Sequence, residues 1–167
     1  MAQSDSIPMR SRQERKMPVI STRRAEVTDA GTVARFVYAL QVELLGRMAP
    51  EIEIVTQSAA AVLADVSVVA VIACGDNEPV GVMVLNECTA IYAGGKFGEI
   101  SELYVRPDMR SQGIAPHLIA VALSEGRARG WKRLEVGAPW QPKWKRTLDF
   151  YLRNGFEEVG PRLCRMI

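Results

Sequence analysis

The sequence has one histidine, His117, and three cysteines among its 167 residues. A single histidine argues against histidine-based metal sites and against Ser-His-Asp or Cys-His catalysis. The cysteines, Cys74, Cys88 and Cys164, are odd in number and widely spaced, without a CxxC pair. This pattern predicts no disulfide framework, no zinc site and no metal cofactor, and it favours a reducing, cytoplasmic location.

Long hydrophobic runs are also missing. The longest apolar stretches, at 66–74 and 119–123, are far shorter than the ~20 residues that cross a bilayer, so no membrane association is expected. The first dozen residues include three charged side chains and no apolar core, so no secretory signal is expected. Residues 1–17 are polar, basic and aperiodic, which predicts a mobile leader, and they lack the interleaved aromatic residues of a nucleic-acid-binding arm.

The remaining length, residues 18–167, suits a single domain, and a composition of 48% hydrophobic and 24% charged residues is that of a globular protein. The net charge of +2 hides an asymmetry. Residues 25–95 carry nine acidic and two basic side chains, whereas residues 96–167 carry thirteen basic and eight acidic ones. The first block would attract cations and the second anions, although an uneven solvated surface explains the same counts.

Periodicity and turn residues predict alternating helices and strands. The first half is expected to hold a strand at 19–25, a helix capped at 28–29 that runs to about residue 45, a second helix at 56–64 and a strand at 66–74. Strands at 80–92 and 97–105 should follow, and then a helix at 113–130, a strand at 133–136, a helix at 143–154 and a strand at 158–166. This order predicts a mixed α/β domain in which helices cover a central sheet.

The segment 100–115, ISELYVRPDMRSQGIA, carries the clearest chemical signal. A strand ends at Val105, and a loop with Arg110 and Gly113 opens the next helix. Glycine lets a ligand approach the backbone, and the free N–H groups of a helix start favour an anion. The loop therefore predicts a phosphate site, although a glycine needed only for a tight turn is the alternative.

The strand before this loop breaks the two-residue period. Ile100 and Leu103 cannot face one side of a sheet unless one extra residue intervenes. A β-bulge near Ser101-Glu102 would supply it, and bulges often adjoin active sites. A strand buried on both faces explains the spacing equally well.

Two motifs resemble those of the GNAT superfamily of acetyl-CoA-dependent N-acetyltransferases. Arg110-Ser111-Gln112-Gly113-Ile114-Ala115 matches the family pattern Q/R-x-x-G-x-G/A, and FYLRNGF at 150–156 resembles F-Y-x-x-x-G-F. The resemblance covers residues 18–167 in the right order of elements. It implies an α/β (α+β) fold with a mixed, mostly antiparallel sheet flanked by helices on both faces, and an enzyme that uses acetyl-CoA as cosubstrate.

The resemblance also implies where the cosubstrate lies. The backbone amides of Gln112 to Ala115 would hold the pyrophosphate, and the pantetheine arm would follow the strand end at a splay between that strand and the next. A backbone N–H near Leu103 or Tyr104 would polarise the thioester carbonyl. The expected cofactor-binding residues are Leu103, Tyr104, Val105, Arg110, Ser111, Gln112, Gly113, Ile114, Ala115, Thr147 and Phe150.

One departure from the family pattern lies before Tyr151. Trp144 and Thr147 stand where many members have asparagine and alanine, which puts the usual hydrogen bond of that asparagine to the cofactor in doubt. The basic stretch at 140–146 could instead contact the nucleotide end. Alternatively, Trp144 and Leu148 are core residues.

Acetyl transfer to an amine needs a base, and with one histidine in the chain a carboxylate must supply it. Glu102 beside the expected bulge is the first candidate and Glu99 the second, either directly or through a water. A strand glutamate that only faces solvent is the alternative. The resemblance makes Tyr151 the acid that protonates the departing thiolate, since its ordinary pKa of ~10 lies near the ~8.5 of a thiol; the alternative is a packed tyrosine. His117 is expected on the surface.

The acceptor side in this family is lined by the first helices, which here bring Glu43, Glu51 and Glu53. These acids predict a cationic primary amine, on a small molecule or a peptide, as the acceptor. No cysteine lies near the expected thioester, so direct attack is predicted. A non-catalytic acyl-CoA-binding or sensor module is the first alternative and a nucleotide-binding protein of another class the second. Homodimers are frequent in the family, but nothing in the sequence requires one.

Overall fold

Five strands form one sheet in the computed structural model, which describes residues 18–165. The strands are β1 (Ile20–Arg24), β2 (Val68–Gly75), β3 (Glu78–Ala90), β4 (Gly95–Val105) and β5 (Leu134–Val136). They lie in chain order, with β1 to β4 antiparallel to their neighbours and β5 parallel to β4. The helices are α1 (Ala30–Leu45), α2 (Ile52–Leu63), α3 (Ile114–Arg129) and α4 (Lys145–Arg153).

The turn between β2 and β3 forms where the sequence predicts it. Asp76 and Asn77 both have positive φ, at 49° and 72°. Such a pair of left-handed residues gives the tight hairpin turns that match the twist of the flanking strands, and Asp and Asn tolerate this conformation better than most residues. The hairpin sets the register of the two central strands.

Helices cover both faces of the sheet, which confirms the expected fold class. Every residue of β2 is buried. Its alternate side chains enter two cores: Val69 and Val71 pack with α3 residues, and Ala70 and Ile72 pack with α1 residues. Because both faces of β2 are covered, its sequence is a continuous apolar run instead of an alternating one.

Trp131, directly after α3, locks that helix onto the sheet. Its ring lies against Gly98 and Gly126, where an added Cβ would come within 2.1 and 3.0 Å of ring atoms. Its Nε1 donates to Glu87 at 2.9 Å. Glycine at both contact points allows this approach, so the axis of α3 is fixed relative to β3 and β4.

Two predicted elements need correction. The strand expected at 158–166 is wrong, since residues 158–165 are irregular and exposed. Gly160, with φ of 120°, and Pro161, which has no N–H, interrupt the segment, and Val159 and Leu163 face solvent. The second helix begins at Ile52, four residues before its predicted start. The predicted leader, 1–17, and residues 166–167 lie outside the described residues. Within residues 18–165, no helix has the length and apolar character needed to cross a membrane.

Candidate active site

A β-bulge at Ser101 lies at the centre of the site. Val84 on β3 pairs with Glu102 on β4, but the next residue, Leu85, pairs with Ile100, so Ser101 has no partner of its own. This confirms the predicted bulge. The extra residue places Ile100 and Leu103 on the α3 side of the sheet and turns Glu102 toward α1 and α2.

The sheet opens beyond the bulge. β5 pairs with β4 only along Gly98–Ile100, so the edge of β4 from Ser101 onward has no strand beside it. The Arg106 N–H donates to Val80 on β3 at 2.9 Å. In an antiparallel ladder alternate residues bond to opposite neighbours, so the N–H of Leu103 points to the open edge. Of the two residues that the sequence left open for thioester polarisation, Leu103 has the exposed donor.

A cleft of about 830 Å³ fills this opening. Its walls are the end of β4, the loop before α3 and its first turn, α4, and the last turn of α1. All the sequence-predicted cofactor residues line it except Gln112. The side chain of Gln112 instead donates to the backbone oxygen of Asp108 at 3.1 Å.

The loop before α3 presents its backbone to this cleft. Ser111 and Gly113 both have positive φ, at 63° and 82°. In the described chain no acceptor is found for the N–H groups of Gly113, Ile114 and Ala115, as expected at a helix start. Nothing lies within 4 Å of the position a Gly113 Cβ would take. All three residues line the cleft, and the helix dipole adds positive potential there.

Arg110 is fixed at the mouth of the cleft by three contacts. Its Nε donates to the Val105 carbonyl at 2.8 Å, its Nη2 donates to Glu43 at 2.7 Å, and its guanidinium lies 5.3 Å from the Tyr104 ring centroid. These contacts hold the loop against the end of β4. They also commit two of the five Arg110 N–H donors to the protein itself.

Further cations come from α4 and the segment before it. Arg146 donates to the Ser111 hydroxyl at 3.1 Å, and Lys143 and Arg153 also line the cleft. Trp144 is half-buried, lines the cleft and lies 5.5 Å below the Lys143 ammonium. The alternative that Trp144 and Leu148 are core residues is wrong, because neither belongs to the packed clusters. The signal for this cationic wall was the run of basic residues at 140–146.

Tyr151 is packed and also faces the cleft. Its side chain is 7% exposed, and its ring meets those of Phe150 and Phe156 edge-on at 5.2 and 5.4 Å. Burial raises the pKa of the Tyr151 phenol to about 12. Within residues 18–165 its hydroxyl has no hydrogen-bond partner, so it is a neutral donor available to a ligand in the cleft.

Glu102 lies on the opposite face of β4. It lines a second, smaller cavity between α1, α2 and the sheet. The Ser101 hydroxyl donates to its carboxylate, and Asn86 Nδ2 donates to Ser101 Oγ at 2.8 Å. Burial raises the pKa of Glu102; the Ser101 hydrogen bond opposes this shift and the charge of Glu99 adds to it. Ser101 itself lines the large cleft, so the hydroxyl connects the two faces.

The other predicted carboxylates are placed differently. Glu99 is ion-paired with Arg162. Glu43 lines the large cleft, whereas Glu51 and Glu53 are exposed and line neither cavity. His117 is exposed on α3, as expected. In the described part of the chain, no three His, Cys, Asp or Glu side chains are grouped to hold a metal ion.

A sheet that opens at a bulge, with unpaired amides at the start of the next helix, forms a cleft with an anion-binding end. The comparison with known families adds the class of protein, which is an acyltransferase. The chain belongs to the acetyltransferase (GNAT) family, whose model matches residues 40–156. Members of this family use acetyl-CoA as cosubstrate.

Known relatives differ in the acceptor that their names give. The aminoalkylphosphonate N-acetyltransferase of Salmonella typhimurium is 33% identical over 156 residues, which cover 93% of this chain and 97% of the relative. A ribosomal-protein-alanine N-acetyltransferase from Brucella melitensis has a similar structure, with a TM-score of 0.69, 23% identity, and coverage of 89% of this chain and 99% of that one. An aminoglycoside acetyltransferase from an uncultured soil sample also has a similar structure. Its TM-score is 0.72 and its sequence identity 19%, with coverage of 89% of this chain and 99% of that one. These two likenesses establish the fold alone.

Proposed function

We propose that this protein transfers the acetyl group of acetyl-CoA to the primary amine of a small molecule, by direct attack through a tetrahedral intermediate. One observation carries this proposal. The opening beside β4 has unpaired backbone donors at one end, a neutral phenol within it and a half-buried carboxylate across the strand.

The cosubstrate would be held by backbone donors more than by side chains. The N–H groups of Gly113, Ile114 and Ala115 would bind the pyrophosphate, and Arg146 would add a charged donor beside Ser111. The pantetheine arm would follow the open edge of β4. The Leu103 N–H would then meet the thioester oxygen, where negative charge develops during attack.

Two side chains would move the protons. The acceptor ammonium gives one proton to Glu102, directly or through the Ser101 hydroxyl, and the free amine attacks the thioester carbonyl carbon. As the C–S bond breaks, Tyr151 protonates the thiolate, and the proton lost from nitrogen reprotonates the phenol through solvent.

The name of a relative supports a small molecule as acceptor. The relative from Salmonella typhimurium is named for an aminoalkylphosphonate. A peptide amine is the alternative within the same chemistry. A cytoplasmic location is part of the proposal, supported by the three free cysteines, and homodimer formation stays a prediction.

Two measurements test the proposal together. Calorimetric titration with CoA reports binding to the cleft, and release of free thiol from acetyl-CoA, with and without amine, reports transfer. We expect CoA binding and amine-dependent thiol release, with one acetyl group gained by the amine in mass spectrometry. CoA binding without turnover across alkylamines, polyamines, aminoalkylphosphonates, aminoglycosides and peptides would favour a non-catalytic acyl-CoA-binding module.

A further inference from the structure

The smaller cavity, which we call the apolar slot, lies between α1, α2 and the face of the sheet that carries Glu102. It has a volume of about 150 Å³. Most of its lining is aliphatic: Val33, Val37, Pro50, Ile54, Val55, Ala59, Val62, Leu63 and Val84. A cavity of this volume takes a ligand about the size of benzene.

Besides the exposed Ser58 hydroxyl on α2, two hydrogen-bond acceptors interrupt this apolar lining. One is the Glu102 carboxylate at the sheet side. The other is Gln41 on α1, whose Oε1 is fully buried and has no hydrogen-bond partner within the described residues. An unmatched buried oxygen destabilises a fold unless a ligand donates a hydrogen bond to it.

The charge of the slot restricts that ligand. Among its described lining residues the charged side chain is Glu102, and none is Lys, Arg or His. An ammonium has three donors and a positive charge, which suit a carboxylate and an amide oxygen. An anionic group would meet the carboxylate with no cation to offset it.

We infer that the apolar slot, which lies on the side where this family binds its acceptor, selects primary amines whose body is a short alkyl chain or a single aromatic ring. The ammonium donates to Gln41 Oε1 and to Glu102, and the hydrocarbon part occupies the aliphatic lining. This inference rests on the proposed acetyl transfer and narrows its acceptor class. The slot should not accept the anionic end of an aminoalkylphosphonate, because of its charge, or an aminoglycoside, because of its size.

The bulge brings an amine bound in the slot close to the edge of β4 where the thioester is proposed to lie. Ser101, on the cleft side, donates to Glu102, on the slot side. An amine bound at Glu102 therefore lies one residue along β4 from the open edge where Leu103 presents its N–H. Deprotonation and attack occur across the same short stretch of strand.

A series of acceptors tests the class. n-Propylamine and 2-aminoethylphosphonate form a matched pair, since a methyl group replaces the phosphonate. We expect kcat/KM for n-propylamine and benzylamine to exceed that for 2-aminoethylphosphonate, and that for an aminoglycoside, by at least tenfold. A tenfold preference for either of the latter two would overturn the inference.

Substitution of Gln41 tests the residue. Gln41→Met keeps the side-chain length and removes the buried oxygen. We expect KM for benzylamine to rise at least tenfold, with kcat at saturation and CoA affinity within twofold of wild type. The free energy of unfolding should stay equal or rise, because the unpaired oxygen is gone. Gln41→Glu retains an acceptor and should restore a KM near that of wild type.

Gln57→Met is the matched control, because Gln57 is exposed on α2 and lines neither cavity. Its KM should equal that of wild type. A second variant, Ala59→Leu, narrows the slot and should reduce kcat/KM for benzylamine more than for ethylamine. An unchanged KM in Gln41→Met, or equal losses for both amines in Ala59→Leu, would refute the assignment.

Direct binding separates failure of this inference from failure of acetyl transfer. Benzylamine is titrated calorimetrically into the CoA complexes of wild type and Gln41→Met. Weaker binding in the variant supports the slot whether or not turnover occurs. If other amines are acetylated but benzylamine binds wild type and Gln41→Met equally well, acetyl transfer is supported and the slot is not the acceptor subsite.

Discussion

Arg110 donates from Nη2 to Glu43 Oε1 at 2.7 Å, which joins the loop after β4 to the last turn of α1 across 67 residues of sequence. The same guanidinium holds the Val105 carbonyl and lies over Tyr104. The loop proposed to bind pyrophosphate is thus anchored from the protein side. Glu43 also places a negative charge at the mouth of the cleft that we propose binds the anionic cosubstrate.

Glu43→Gln should therefore strengthen CoA binding. The substitution removes an anion near the phosphates, while the Val105 and Tyr104 contacts keep Arg110 in place. We expect the Kd for CoA to fall about two- to fivefold, with a change in unfolding free energy below ~1 kcal/mol, as for an exposed ion pair. Isothermal calorimetry and urea unfolding measure the two quantities. Weaker CoA binding would mean that the ion pair is needed to shape the loop.

Gly113→Asp should weaken CoA binding by at least tenfold, because a carboxylate would stand where the phosphate is proposed. There is room for the side chain, but the φ of 82° strains any residue other than glycine. Gly113→Asn carries the same strain without the charge and should lose less affinity. Gly130→Asp, at the other end of α3 with φ of 71°, is the control for helix-end strain and should bind CoA like wild type. Equal affinity in wild type and Gly113→Asp would contradict the loop assignment.

Tyr151→Phe should reduce turnover about 10²-fold, the usual scale of loss for a general acid, and change CoA affinity less than twofold. The ring and its packing against Phe150 and Phe156 remain, so the fold should persist. Stopped-flow thiol release at saturating substrate, with calorimetric CoA binding, checks both parts. Wild-type turnover in the variant would remove Tyr151 from the mechanism.

The pH profile of wild-type kcat should reflect the raised pKa of Tyr151. Burial lifts that pKa to about 12, so the phenol stays protonated through the range in which the protein is assayed. We expect kcat to remain level from pH 8 to about pH 10, without the descending limb that an ordinary tyrosine with a pKa of ~10 would begin to cause. A fall that begins near pH 9 and disappears in Tyr151→Phe would show that the phenol titrates in its ordinary range.

Glu102→Gln should lower turnover by about 10²-fold or more without loss of stability at neutral pH. Burial raises the pKa of Glu102 in the folded state, so stability falls as the pH rises from the ordinary pKa of a glutamate to the raised one, and the full cost of the ionised carboxylate remains above it. Glutamine lacks this charge. Relative to wild type, the variant should therefore gain unfolding free energy between pH 4 and pH 8, as measured by urea unfolding. A variant that loses stability over this interval would show that the carboxylate is stabilised in the fold.

Local sequence was informative for the features that depend on neighbouring residues. The broken period from Ile100 to Leu103 indicated either a bulge or a strand buried on both faces, and the register between β3 and β4 shows the bulge. Asp76 and Asn77 marked a turn, which is also a local feature. The strand predicted at 158–166 is wrong because strand propensity does not show whether a partner strand is available. Gly160 and Pro161 also interrupt the segment.

The sequence by itself determined the order of elements as far as α4, the helix-start loop at Gly113 and the two motifs that place the chain in its family. Tertiary structure alone decided that Glu102 and Tyr151 face opposite sides of β4, that Arg110 meets Glu43, and that Gln41 ends in an apolar slot beside Glu102. Backbone conformation follows from short-range sterics and hydrogen bonding, which nearby residues specify. The environment of a side chain follows from packing between distant segments, and no local pattern encodes which of them will meet.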